Sequence, residues 1–243
     1  MMVAMEHLVR GARAWGVEIN PEALDKFQLY YEELISWNRR LNLTSITDYE
    51  EVQIKHFLDS LSLHLVLEPS LLEGGEPFID VGAGAGFPGL PLKIVHPQIS
   101  LALLEATVKK ARFLTHLVER LALTRVEVVM GRAEEMARRE EHRERYQVAL
   151  ARAVAPLPVL LEYALPLCQV GGLLIAQKGP DIREELEDSQ SALTILGGRI
   201  GEVRELELPL SMGRRNLVVV VTVAPTPEKY PRRPGIPAKR PLN

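Results

Sequence analysis

Phe78-Ile79-Asp80-Val81-Gly82-Ala83-Gly84-Ala85-Gly86-Phe87-Pro88-Gly89 decides the fold. Phe78, Ile79 and Val81 suit a strand buried on both faces. Gly82, Gly84 and Gly86 then break the run; glycine takes positive φ and lets a ligand approach bare backbone. Pro88 suits a first helical turn, where its missing N–H costs nothing. Leu90, Leu92, Ile94 and Val95 continue an apolar helical pattern. Strand, glycine turn and helix together predict a ligand cradle at the carboxyl edge of a sheet.

Downstream of this stretch the pattern alternates. Strands are predicted over 100–105, 126–130, 147–151 and 172–177, with helices over 108–121, 133–145, 158–169 and 181–196. Two further strands, 199–208 and 216–223, meet through Met212-Gly213 and are expected to be antiparallel. Such alternation predicts a doubly wound α/β fold, Rossmann-like, with a mostly parallel sheet. Upstream, residues 1–66 read as a helical cap. Asn20 and Pro21 start one helix, with Leu24, Phe27, Tyr31 and Leu34 on one face. Thr47-Asp48-Tyr49-Glu50 resembles a capping box for the next, whose apolar face is Ile54, Phe57, Leu58, Leu61 and Leu65. The expected division is a cap (1–66), a ligand-binding domain (67–225) and a basic, proline-rich tail (226–243).

Net charge over the 243 residues is −3. The tail alone carries Lys229, Arg232, Arg233, Lys239 and Arg240 against Glu228, so it is basic on an acidic body. Two readings stand open: an anionic partner, or a solvated tail. Its six prolines from Pro225 onward predict an extended chain. No apolar run approaches the ~20 residues of a spanning helix, and the N-terminus has no apolar signal core, so the expected location is cytoplasmic. The single cysteine, Cys168, excludes an internal disulfide and is expected in a buried helix. His7, His64, His96, His116 and His142 lack ligand spacing, so no metal is expected.

Residues just after each strand are the ligand candidates. Glu105 follows the second strand, 23 positions beyond Gly82, where an acid accepts hydrogen bonds from a ribose diol. Gly131-Arg132-Ala133-Glu134 follows the third. There Glu134 is either a ligand contact or an acid favoured at a helix N-terminus. Arg152 follows the fourth, among alanines, and Gln177-Lys178-Gly179 the fifth. NAD and S-adenosylmethionine both suit such a site. The G-x-G-x-G spacing behind Asp80 favours the second, because a carboxylate repels a pyrophosphate and attracts an ammonium or sulfonium.

With those residues in place, the chain resembles the class I S-adenosylmethionine-dependent methyltransferases, and more narrowly the RsmG (GidB) family. The resemblance rests on Trp37-Asn38 with Leu41-Asn42-Leu43-Thr44, Lys55-His56-Phe57-Leu58-Asp59-Ser60, the Asp80–Gly89 loop, and Glu105 with Lys109-Lys110-Ala111-Arg112-Phe113-Leu114. It continues through Gly131-Arg132-Ala133-Glu134, Arg152-Ala153, Gln177-Lys178-Gly179 and Tyr230-Pro231-Arg232-Arg233-Pro234-Gly235. It implies a seven-stranded sheet with an antiparallel last hairpin, and methyl transfer from S-adenosylmethionine to N7 of one guanine of 16S ribosomal RNA. The partner it implies is that RNA or the small ribosomal subunit, with no required protein partner evident.

Carried over, the cofactor contacts are Asp80, Gly82, Gly84, Phe87, Glu105, Ala106, Thr107, Ala133, Glu134 and Arg152. Guanine N7 bears a lone pair and no proton, so the reaction needs positioning and electrostatics rather than a general base. Arg152 and Lys178 are the expected catalytic residues, holding O6 or a phosphate. Arg39, Arg40, Asn42, His56, Arg214, Arg215, Arg232 and Arg233 are the expected RNA contacts. For His56 and Asp59 a purely structural hydrogen-bonding role stays open. The rival readings are a methyltransferase for another RNA base, an NAD-dependent oxidoreductase, and a non-catalytic RNA-binding factor.

Overall fold

Alternate residues of the central strand go to opposite faces, and that period of two builds two separate cores. The computed structural model describes residues 5–242. Strand β1 (Pro77–Val81) sends Phe78 to one side, where it joins Leu101, Leu103, Val148 and Leu150 and meets Phe27, Tyr30, Leu34 and Phe57 of the N-terminal helices. Ile79 and Val81 go to the other side, with Ala102, Leu104, Ala149 and Ala151, and meet Leu160, Leu161 and Leu193. Truncating a fully buried side chain such as Phe78 to alanine costs about 3–5 kcal/mol. The helical stretch before residue 66 therefore shares a core with the sheet.

The remaining strands are β2 (Ser100–Glu105), β3 (Val126–Met130), β4 (Tyr146–Arg152), β5 (Cys168–Lys178), β6 (Gly198–Glu207) and β7 (Arg214–Thr222). All seven form one sheet in the order β3-β2-β1-β4-β5-β7-β6, with β7 antiparallel to β5 and β6. Strand order reverses between β1 and β4, the crevice where open α/β sheets bind ligands. The edge strand β6 carries Arg199, Glu202, Arg204, Glu205 and Glu207, charges that discourage pairing with another chain.

Helices α1 (Glu6–Ala14) and α2 (Pro21–Leu41) begin the cap. Asn20 Oδ1 accepts the Ala23 N–H at 2.8 Å, as its place before Pro21 predicts. The stripe buried by α2 is Ala23, Phe27, Tyr30 and Leu34; Leu24 and Tyr31 flank it half-buried. Asp48, rather than Thr47, caps α3 (Tyr49–Val52), accepting the N–H groups of Glu50 and Glu51 at 3.0 Å. The helix then widens into a π-helical segment, Gln53–Leu58, before α4 (Asp59–Leu61). Short α5 (Pro69–Glu73), α6 (Gly89–Val95) and α7 (Val108–Arg120) follow.

Several expectations are corrected. The helix expected over 133–145 is one turn, α8 (Ala133–Met136), because residues 138–145 present no apolar stripe to pack. The helix expected over 158–169 is α9 (Leu157–Ala164); Pro166 lacks the N–H to continue it, and Cys168 opens β5 instead of closing a helix. Residues 181–196 divide at Ser189 into α10 (Arg183–Asp188) and α11 (Gln190–Leu196). The tail folds back, ends in a helical turn α12 (Ile236–Lys239), and buries Tyr230, Pro231 and Pro237. Arg138 donates to the carbonyls of Lys229 and Pro231, and Arg143 to those of Thr226 and Tyr230. No helix of the described residues is long and apolar enough to cross a membrane.

Candidate active site

The glycine loop hangs from β2 and is braced by the cap. The N–H groups of Gly82 and Ala83 donate to Leu104 O at 2.8 and 3.0 Å. Gly82 has φ +71°, and a Cβ there would lie 3.0 Å from Val154 Cγ2. Gly86 has φ +97°, and a Cβ there would lie 2.5 Å from Leu90 and 2.6 Å from the Tyr30 hydroxyl. That hydroxyl donates to Ala85 O at 2.6 Å. The apex of the loop thus has room for glycine alone.

Two carboxylates organise the cleft. Glu105 accepts the Gly84 N–H on Oε2 (2.9 Å) and the Thr107 N–H on Oε1 (2.7 Å). Each oxygen keeps lone-pair capacity for a further donor, so the group is held in place and still able to take hydroxyls. Asp80 is 1% exposed and accepts the Gly89 N–H on Oδ2 at 2.8 Å, while Oδ1 is buried without a partner. Burial pushes its carboxyl up to about 7, opposed by the Gly89 N–H and Arg152 and reinforced by Glu105. A buried, unpartnered carboxylate oxygen suits a cationic ligand, which is what a sulfonium amino acid offers.

Beside the loop lies a cavity of about 230 Å3, lined by Gly82, Ala106, Arg132, Ala133, Glu134, Val154 and Tyr163 among others. The residues fit S-adenosylmethionine: the Ala106, Ala133 and Val154 walls suit an adenine, while Glu105, next to Ala106, for hydroxyls and Asp80, next to Val81, for positive charge adjoin the lining without being part of it. Thr107 is exposed at the rim. Phe87, an expected cofactor contact of the loop, is buried. Its ring stacks between Tyr30 (centroids 5.3 Å) and His56 (4.5 Å), so the ring holds the cap. Glu134, an expected cofactor contact, lines the cavity, and its carboxylate accepts Arg132 Nη2 (3.1 Å) and the Gly235 N–H of the tail (2.9 Å).

A second cavity, about 360 Å3, is lined by Ile46, Lys55, His56, Asp59, Arg152, Ala153, Gln177, Lys178, Gly179 and Arg215. Arg152, at the end of β4, reaches Lys55 O (3.1 Å), Asp59 Oδ2 (3.2 Å) and His56 Nδ1 (3.2 Å), and lies 4.8 Å over the Phe87 ring. Arg215 Nε donates to the same Asp59 oxygen at 3.3 Å. Lys178 Nζ donates to Ala155 O (2.7 Å) and Glu185 Oε2 (2.6 Å). Burial and the nearby Arg152 charge lower His56 to about 3, so the imidazole is neutral. Its Nε2 lies 2.8 Å from Thr44 Oγ1, which ties the loop after α2 to the cavity.

The structure thus gathers Arg152, Lys178, His56 and Arg215 around one cavity. His56, expected as an RNA contact or a structural hydrogen-bonding residue, is 7% exposed and forms part of the cavity wall. Arg39, Arg40 and Asn42 are exposed at the end of α2, where Asn42 takes a left-handed conformation. Arg214 is exposed and pairs with Glu205 at 3.4 Å. Arg233 is exposed. Arg232, an expected RNA contact, clamps Glu162, which is 0% exposed, through Nη2 at 2.6 Å and Nε at 2.9 and 3.1 Å. Withdrawing it would strand a buried charge. Sequence reading overlooked Tyr30, Tyr163 and the clamp residues Arg138, Arg143 and Glu162; Tyr30 and the clamp residues reach partners tens of residues away.

Residues 23–218 match the family described as GidB, rRNA small subunit methyltransferase G. The chain is 49% identical over 238 residues to ribosomal RNA small subunit methyltransferase G of Dehalococcoides mccartyi strain CBDB1, covering 98% of this chain and 100% of the relative. It is 48% identical over 242 residues to the protein of that name from Pelotomaculum thermopropionicum, covering 100% of both. Among solved structures, Aeropyrum pernix fibrillarin with bound S-adenosyl-L-methionine superposes with TM-score 0.52 at 15% identity, over 67% of this chain and 73% of that one. That likeness shows the fold alone. The sequence relatives carry the rest: the chain belongs to the rRNA small subunit methyltransferase G (GidB) family of S-adenosylmethionine-dependent methyltransferases.

Proposed function

We propose that this chain transfers a methyl group from S-adenosylmethionine to N7 of a single guanine of 16S ribosomal RNA, within the RNA or the small subunit. The observation that carries the proposal is the junction at the end of β4. Arg152 and Ala153 line one cavity and Val154 lines the other. Ala153, at φ +56°, makes the turn that lets consecutive residues face both. A methyl donor on the glycine-loop side and a base on the Arg152 side then meet across one residue of backbone.

S-adenosylmethionine supplies an electrophilic methyl group on a positive sulfur. The protein's part is placement. Glu105, the Gly82–Gly84 backbone and the Ala106–Ala133 wall hold the donor, and Asp80 balances its charge. Arg152, held by Asp59, and Lys178, held by Glu185, present cationic donors to guanine O6 or a phosphate and leave the N7 lone pair free. No proton leaves N7, so the reaction asks no base of His56, which burial and Arg152 lower to about 3 and make a poor one. Arg215, in the wall of the second cavity, and the exposed Arg39, Arg40 and Arg214 supply phosphate contacts.

The test is methyl transfer from labelled S-adenosylmethionine to naked 16S RNA and to small subunits lacking the modification, followed by mapping of the modified nucleoside. N7-methylguanosine at one position is expected, with Arg152→Ala and Lys178→Ala each slowing turnover. Label on another base, or wild-type turnover in both variants, overturns the proposal.

A further inference from the structure

The basic tail, whose composition suggests an arm for RNA, is instead fastened behind one wall of the methyl-donor cavity. Two buried carboxylates do the fastening. Glu162 on α9 receives the Arg232 guanidinium through both oxygens and the Arg232 N–H at 2.7 Å. Glu134 on α8 receives the Gly235 N–H at 2.9 Å. They are 0% and 2% exposed, so neither finds a substitute partner in water.

Both anchors adjoin the cavity. Glu134 is part of its lining, with Arg132 and Ala133. Glu162 immediately precedes Tyr163, which also lines it. Arg132 donates to the same Glu134 oxygen that holds Gly235, so tail and wall share one acceptor. The far side of the tail is tied down independently by Arg138 and Arg143 through four backbone carbonyls. Such a clamp fixes where the Arg132–Glu134 turn and Tyr163 stand.

We propose that the C-terminal segment is a structural wall of the S-adenosylmethionine site, with Arg232, Glu162 and Gly235 as positioning residues for Glu134 and Tyr163. The inference rests on the donor occupying the glycine-loop cavity, and it assigns the segment to cofactor affinity rather than to RNA affinity. Its shape is set before RNA arrives, because every clamp is intramolecular.

The experiment measures S-adenosylmethionine binding by calorimetry on the full chain without RNA, beside binding to small subunits at low salt. Arg232→Ala is expected to weaken S-adenosylmethionine binding about tenfold, since a hydrogen-bonded charge pair is lost, with Arg232→Lys recovering part of it and subunit binding changed less than about twofold. Because Arg232→Ala strands Glu162 and can compromise folding, a second variant is Glu162→Gln. It removes the buried charge, keeps every residue of the tail and a neutral acceptor for Arg232, and is expected to weaken the donor about threefold. If melting temperature falls in a folded variant while donor affinity stays within about twofold of wild type, the segment is merely structural and the inference is overturned. It is equally overturned if subunit binding falls and donor binding does not. Failure of the methyl-transfer proposal itself would show separately, as wild-type donor binding without N7-methylguanosine.

Discussion

Arg152 and Asp59 form an ion pair at 3.2 Å whose carboxylate is 3% exposed and whose guanidinium is 15% exposed. The two residues come from the end of β4 and the start of α4, so the pair welds the helical cap to the sheet at the mouth of the second cavity. Arg215 contributes a second cation to the same oxygen. Burial lowers the Arg152 pKa, while Asp59, Tyr30 and Asp80 draw it back up.

Arg152→Ala removes the nearer partner of Asp59 and leaves its charge to Arg215 alone. Breaking a buried pair costs about 3–5 kcal/mol, and the remaining arginine places this case at the low end. Turnover on small subunits is expected to drop at least about a hundredfold, as for loss of a positioned electrostatic group. Urea denaturation and single-turnover methylation check the two effects separately. Arg152→Lys keeps the charge and loses the forked contacts to Lys55 O, Asp59 and His56.

Asp80 gives a pH dependence whose sign is fixed. Its folded pKa is about 7, above the ordinary 3.8. The folded state therefore binds the proton more tightly than the unfolded one, and stability declines as pH rises from about 4 to about 7. Asp80→Asn removes the cost of the buried charge. It is expected to raise the melting temperature more at pH 8 than at pH 5. Cation binding wants the ionised form, so S-adenosylmethionine affinity of the wild type should improve through pH 7, and the variant should bind weakly and lose that trend. Calorimetry at pH 6 and pH 8 reads both.

Tyr30→Phe deletes the bond to Ala85 O and leaves that carbonyl buried. The cost is about 1–3 kcal/mol, with weaker donor binding because the loop loses its brace. Thermal denaturation with and without S-adenosylmethionine measures it.

Gly86→Ala is the harsher probe of the same contact. A methyl group would enter within 2.6 Å of both Leu90 and the Tyr30 hydroxyl at a positive φ. We expect loss of donor binding in calorimetry and a destabilisation of a few kcal/mol, by overpacking and strain together.

The central elements were legible because their signals are local. Strands β2 and β3 fall on the expected residues, and Asp80, the glycines and Glu105 declare themselves by type and spacing. Arg152 stood out because an arginine among alanines at a strand end has no packing reason to be there. The tail was misread for the opposite reason. Prolines and basic residues describe an extended, solvated chain until Glu162 and Glu134, 70 and 101 positions distant, are seen to receive it. His56 and Phe87 were placed by motif, and only the fold reveals that their rings stack on each other.

Ala153 leaves a practical mark on how such an enzyme can change. The two cavities meet at consecutive residues, Ala153 and Val154, so a bulkier side chain at either would reshape both at once. On the proposed reading, retargeting to another nucleobase would have to begin farther out, at Ile46, Lys178 or Arg215, which line the Arg152 cavity and not the other.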